Sequence, residues 1–230
     1  MLVALMLATA LTGTHPPPDD GQPRAAASAV VRERGDSALL ADAIAHFRTV
    51  ETYRVTLRST RADGEQVIRY FYRKPGFVRM EFVRPHPGAL LVYSPLTGRV
   101  RLWPFGAGRF PELNLAPENP LIRAPGGQTV HRSDIGALFE DVRALLAHGR
   151  AEVNDAPEAG RDVVRLVVTA DPGRAVAGVH RYELWLDPAT RFPVRIVARG
   201  ETGAVLETVV LEDLEVNVPL SETLFNPEGP

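Results

Sequence analysis

Cysteine is absent from this chain of 230 residues. That excludes disulfides, a thiolate zinc site, a cysteine nucleophile and acylation at a cysteine. A surplus of either charge is missing too: 26 Lys and Arg stand against 28 Asp and Glu, a formal net of −2. A dedicated nucleic-acid binder carries a basic excess, so that class is set aside. The N-terminal apolar run, MLVALMLATALTG, falls short of the roughly 20 residues that a bilayer-spanning helix needs. The strand–helix alternation of a parallel α/β fold is also lacking.

That run suits the apolar region of a secretory signal, with Ala8, Ala10 and Gly13 near its end, although no basic residue opens it. The alternative is an apolar helix packed on the domain, and the run THPPPDDGQP that follows would detach such a helix. The expected organisation is a signal segment over 1–14, a Pro/Asp/Ala-rich linker over 15–35 and one domain over 36–230.

What is present is mostly alternation. Asp36 or Ser37 can cap a helix to about Arg48, with Leu39, Leu40, Ala43, Ile44 and Phe47 on one apolar face. Period two then takes over. Tyr53, Val55 and Leu57 alternate with Arg54, Thr56 and Arg58. After Ala62-Asp63-Gly64 the stretch RYFYRKPGFVRMEF sets Ile68, Tyr70 and Tyr72, then Val78, Met80 and Phe82, on one face. Arg69, Arg73, Arg79 and Glu81 fall on the other, because a one-residue slip would bury arginines. Strands follow over 89–94 and 99–103, the second with Val100 and Leu102 together.

A Gly/Pro-rich excursion over 105–128 is long enough to be functional rather than connective. Ser133 is placed to cap a second helix to about His148, with Ile135, Leu138, Phe139, Val142, Leu145 and Leu146 as its stripe. Strands resume over 162–169, 180–186, 192–198 and 205–216. The fold class expected is mainly β with two helices (α+β). Two helices cannot cover so many strands laid flat, so the sheet should curve strongly into an antiparallel half-barrel with a helical lid over an apolar cavity.

The candidate cavity lining is Leu40, Ile44 and Phe47 from the first helix and Leu138 and Val142 from the second. The strands add Val55, Leu57, Ile68, Tyr70, Tyr72, Val78, Met80, Phe82, Val100 and Leu102. Lys74-Pro75-Gly76 is turn chemistry, expected to place Lys74 at the cavity mouth, either solvated or touching the lid helix or a cargo headgroup. The outward arginines, with Arg99 and Arg101, make either a face paired with Asp and Glu or a docking surface for an anionic partner. Trp103 and Trp185 read as packing residues, or as further cavity lining.

No catalytic residues and no metal or cofactor site are expected. His131, Ser133 and Asp134 cluster in sequence, but Ser133 is better used as a cap, and His46, His86, His148 and His180 are scattered. Gly106-Ala107-Gly108 and Gly126-Gly127 lack the Lys and Ser/Thr of a phosphate loop.

FRTVETYRVTLRS, RYFYRKPGFVRMEF, LLVYSPLTGRVRLWPF and the tail SETLFNPEGP together resemble the LolA-like periplasmic lipoprotein carriers over roughly 38–230. The Arg-Lys-Pro-Gly turn with its flanking strands is the most specific part. The resemblance implies an incomplete β-barrel whose helices lid a cavity for acyl chains. It further implies a monomeric periplasmic carrier of lipoprotein or lipid cargo, with membrane-associated donor and acceptor proteins as partners. A sensor or interaction domain on the same fold is the alternative. Lys74 stands where the carriers often have arginine, and lysine cannot make the planar paired contacts of a guanidinium.

Overall fold

The computed structural model describes residues 29–226 apart from 125, 156–159 and 161, with side chains from residue 37 onward. The segment over 1–14 and most of the stretch over 15–35 lie outside the described residues. The first helix, α1, spans Ala29–Phe47, so it starts seven residues before Asp36, inside the stretch expected to be linker.

The turn signals in the sequence divide the rest into strands. β1 (Thr52–Arg61), β2 (Gly64–Arg73) and β3 (Phe77–Arg84) form the first meander. β4 (Leu90–Ser94), β5 (Arg99–Trp103) and a three-residue β6 (Leu113–Leu115) continue it. Helix α2 (Ile135–Leu146) is followed by β7 (Gly149–Asp155), β8 (Val164–Ala170), β9 (Arg181–Leu186), β10 (Pro193–Arg199) and β11 (Val205–Val216). All eleven make one antiparallel sheet in the order β6-β5-β4-β3-β2-β1-β11-β10-β9-β8-β7. Only the β1–β11 pairing joins strands distant in sequence, and β6 and β7 remain edges, so the sheet is an open curved half-barrel. Register shifts in the β1–β11, β2–β3, β9–β10 and β10–β11 pairs help bend it, because an extra residue on one strand sharpens local twist.

Parity places the core on the concave side. Tyr53 faces Tyr72 and Val55 faces Tyr70 across β1–β2, while Tyr70 faces Met80 and Tyr72 faces Val78 across β2–β3. All six are buried. α2 seals this face with Ile135, Ala137, Leu138, Phe139, Val142 and Leu145, all buried. α1 lies against α2 and β7, burying Leu40 and Ala43.

Three expectations change. The excursion over 105–128 is structured: β6 pairs with β5, Asn119 caps a single 3-10 turn over Pro120–Ile122, and Ile122 and Ala124 enter the main core. β7, which the sequence did not announce, forms an edge beside β8. Asp134, not Ser133, caps α2: its carboxylate accepts from the Gly136 and Ala137 N–H groups at 2.7 and 3.2 Å. The shorter-reaching serine turns inward instead.

Candidate functional site

Every side chain expected to line the interior joins one apolar cluster, Ile44 and Phe47 as partly buried members. The structure therefore brings the set together, but as a packed core. Aromatic side chains pack the middle of the concave face. Phe47 projects from the end of α1 into a ring of Tyr53, Tyr72, Phe139 and Phe192, with centroids 5.9–6.4 Å away. Tyr53 stacks on Tyr70 and Tyr72 at 5.8 and 5.0 Å. Tyr53, Phe139 and Phe192 were not among the expected lining residues. Tyr53 and Phe139 share parity or stripe with residues that were.

A polar seam joins this cluster to α2. Tyr70 Oη lies 3.0 Å from Ser133 Oγ, Ser133 donates to the Val130 carbonyl at 2.6 Å, and the Ile135 N–H donates to Tyr53 Oη at 3.3 Å. Burial pushes both phenols well above their ordinary range, so they stay protonated. Burial also raises the Asp134 carboxyl, against the backbone N–H groups of Ala137, Gly136 and Asp134 itself, which favour its charge. His131, Ser133 and Asp134 thus turn to different partners, His131 Nδ1 standing 4.0 Å from Glu118. Among the described residues no group of three His, Asp or Glu could hold a metal ion.

Beside the lid, a cleft of about 330 Å³ opens between the end of α1 and the start of α2. Phe47, Arg48, Asp134, Gly136, Glu140 and Arg143 are among its walls. Gly136 is a close-approach glycine: a Cβ there would sit 2.5 Å from Phe47 Cε1. Lys74, on the turn below, donates from Nζ to the Arg48 carbonyl at 2.6 Å and to Glu51 Oε1 at 2.8 Å. It touches the chain just past the end of α1 rather than the helix itself.

The far end of the concave face is polar, and the sequence reading missed it. Tyr182, Ala198 and Glu207 occupy one row across β9, β10 and β11. Glu207 is 1% exposed; it accepts from Ser59 Oγ at 2.6 Å, and its Oε1 is 3.8 Å from Arg61 Nη1. Glu207 Oε2, Tyr182 Oη and Arg61 Nε have no hydrogen-bond partner among the described residues. Burial raises the Glu207 carboxyl, opposed mainly by the Ser59 bond. Parity could have found it, since Glu207 continues the inward series of Val209 and Leu211.

The convex arginines are matched, mostly with carboxylates. Arg54 meets Glu215, Arg58 meets Glu65 and Glu212, Arg69 and Arg79 meet Glu81, and Arg101 meets Glu112. Arg73 stacks between Phe77 and Phe225 beside Glu222, and Arg99 bonds Asn114. The paired-face alternative holds, and a general anionic docking sheet loses its free charge. Trp103 and Trp185 pack into small clusters outside the main core.

No protein-family model matches the sequence, and no curated protein does. Solved structures do match in fold. An uncharacterized conserved protein from Thermus thermophilus is 13% identical, with 83% of this chain and 92% of that one aligned at a TM-score of 0.53. A chain of the Pseudomonas aeruginosa MucA/MucB complex is 19% identical over 83% of this chain, at a TM-score of 0.54. This chain spans 60% of that one's length. A LolA superfamily protein from Nitrosomonas europaea aligns over 83% of this chain and 96% of its own, at 10% identity and a TM-score of 0.35. At such identities the first two likenesses are of fold alone.

Proposed function

We propose that this chain binds the acyl chains of lipids or lipid-modified proteins between its curved sheet and its two helices, as a periplasmic carrier of the LolA-like kind. One observation carries the reading: the central concave face is apolar and lies under two helices. α2 buries six side chains and is tied by Asp134, Ser133 and two tyrosines. In α1 only Leu40 and Ala43 of the described residues are fully buried, and Lys74 holds its end from outside. In this reading α1 swings, and its departure would uncover the ring of aromatics around Phe47. No described helix is long and apolar enough to cross a membrane.

The filled interior favours a second reading, a protein-binding domain whose core never opens. One structure of similar fold was solved as a complex of two proteins. The deciding experiment is native mass spectrometry of protein recovered from its own cell envelope, with uptake of a fluorescent fatty acyl probe by the stripped protein. Co-purifying lipid and saturable probe uptake support the carrier. Repeated absence of both, with a protein partner retained, replaces it with the interaction domain.

A further inference from the structure

Strand direction puts the turn at Lys74 at one end of the sheet and the β3–β4 and β5–β6 loops at the other. The second of these loops carries an apolar pair that nothing covers: Phe105 is 62% exposed and Phe110 is 92% exposed. Single exposed apolar residues are ordinary. Two phenylalanines on one short loop, held outward by its own turns, are not. The Gly106 N–H donates to the Trp103 carbonyl at 3.3 Å, and the Arg109 N–H to the Gly106 carbonyl at 3.1 Å, so successive turns fix the backbone. Trp103 anchors the loop inside an apolar cluster. Gly106, at φ +106°, lies so near the neighbouring loop that a Cβ would sit 3.3 Å from the Gly88 carbonyl oxygen. The two loops therefore abut as one platform, to which Val83 adds a further exposed apolar side chain.

Within the two loops themselves the charge is of one sign. VRPHPGA over 83–89 and PFGAGRFP over 104–111 contain no acid, and they supply Arg84, Arg109 and His86. The nearest acids in sequence are already engaged. Glu65 is shared by Arg58 and Arg84, Glu81 by Arg69 and Arg79, and Glu112 is held by Arg101. Arg109 has no ion pair among the described residues, and on the next turn along Asp63 stands 3.9 Å from Arg61. The phenylalanines project from a loop tip, beside a cleft of about 310 Å³ that Val83, Pro87, Gly88 and Ala107 help to line.

We propose that this end of the sheet docks on an anionic phospholipid bilayer. Phe105 and Phe110 enter the interfacial layer, where aromatic rings are favoured, and Arg109 meets headgroup phosphates. Neither an exposed ring pair nor a short basic patch anchors a protein alone, and here the two signals coincide. The docking is independent of whether the interior takes a chain, since it uses only the outer tip.

Co-sedimentation of the full chain with vesicles tests it. Vesicles of phosphatidylglycerol mixed with phosphatidylcholine should bind the protein, less so as salt rises, and phosphatidylcholine alone should bind weakly. The double variant Phe105→Ser with Phe110→Ser should lose at least about tenfold in association, and Arg109→Gln about fivefold on the anionic vesicles only. Leu96→Ser, at a side chain 81% exposed on the opposite end, should bind like the parent. Absence of binding to anionic vesicles, equal binding by the double variant, or an equal loss in Leu96→Ser would overturn the proposal. So would self-association that the double variant abolishes in place of vesicle binding. Acyl-probe uptake measured on the same variants separates this result from the fate of the carrier reading, because tip substitutions should leave uptake unchanged.

Discussion

Replacing Gly136 with alanine sets two opposing effects against each other at the lid. Gly136 is the second residue of α2, and its backbone is not in the left-handed region. By helix propensity alone, alanine should stabilise by about 0.5–1 kcal/mol. Against this, the new Cβ would lie 2.5 Å from Phe47 Cε1, 3.1 Å from Cδ1 and 2.8 Å from the capping Asp134 Oδ1. Carbon atoms rest at about 3.5–4.0 Å, so the Phe47 ring would have to move by about 1 Å. It has little room, with four aromatic rings around it at 5.9–6.4 Å. Overpacking of this kind costs roughly 1–3 kcal/mol, and part of the cap, worth about 1 kcal/mol, is strained as well. The expected net is a loss of about 1–2 kcal/mol, seen in thermal unfolding as a drop of roughly 2–8 °C.

Phe47 ends α1, so the strain should fall on the seam between the helices. Amide exchange across the described part of α1 should therefore speed up more than in the strands. If α1 gates the interior, acyl-probe uptake should quicken, by about 5- to 30-fold at most for such a shift in population. A variant more stable than the parent would show that the ring yields freely and that helix propensity wins. A destabilised variant whose α1 exchanges no faster would break the link between this contact and the lid.

Two further substitutions probe the ends of the sheet. Lys74→Ala removes the bonds to the Arg48 carbonyl and Glu51 from an exposed site, so global stability should fall by less than about 0.5 kcal/mol; exchange near the end of α1 and acyl release should still quicken, and unchanged release would leave the turn as architecture only. Glu207→Gln tests the buried carboxyl: its folded pKa is raised above the ordinary glutamate value by burial, so the unfolded state gives up its proton first and stability falls as pH rises from about 4.5 through the folded value. The variant's stability relative to the parent should thus improve across that window in pH-stepped urea titrations, and a difference independent of pH would refute the assignment.

Alternation made the strands legible, because the concave residues from Tyr53 to Phe82 have outward neighbours that are mostly arginine, threonine or glutamate. The same parity would have reached Glu207, had a carboxylate been allowed to face inward. Edge strands hid for a physical reason. In β7, GRAEVND, only Ala151 is buried, and its pairing with β8 is made by backbone groups that any sequence supplies. β6 has three residues inside a proline-rich stretch. At the start of α2 two adjacent residues could cap, and reach decided between them: Asp134 spans to two N–H groups while Ser133 is drawn to Tyr70. Whether the concave side stays open is not written in any local pattern. It depends on how far α1 sinks into the sheet, which Phe47 and the missing side chain at Gly136 determine jointly.

A filled interior does not by itself decide against cargo, because the comparison is between what leaves and what enters. The described part of α1 buries Leu40 and Ala43 fully and Leu39, Ile44 and Phe47 in part. At about 1.5–3 kcal/mol for a large side chain and less for alanine and the partial ones, undocking it costs roughly 5–8 kcal/mol. One long acyl chain returns on the order of ten kcal/mol at about 0.8 kcal/mol per methylene, before the cost of immobilising it. The margin for a single chain is thin, since association alone costs about 4 kcal/mol or more. A second chain on the same cargo would roughly double the gain, while α1 is undocked only once. If the chain is a carrier, this packing would favour cargo with two or more chains over free fatty acids. In uptake assays a two-chain lipid should outcompete a fatty acid of equal chain length by well over tenfold. Equal competition by the two would mean that α1 does not leave as a unit.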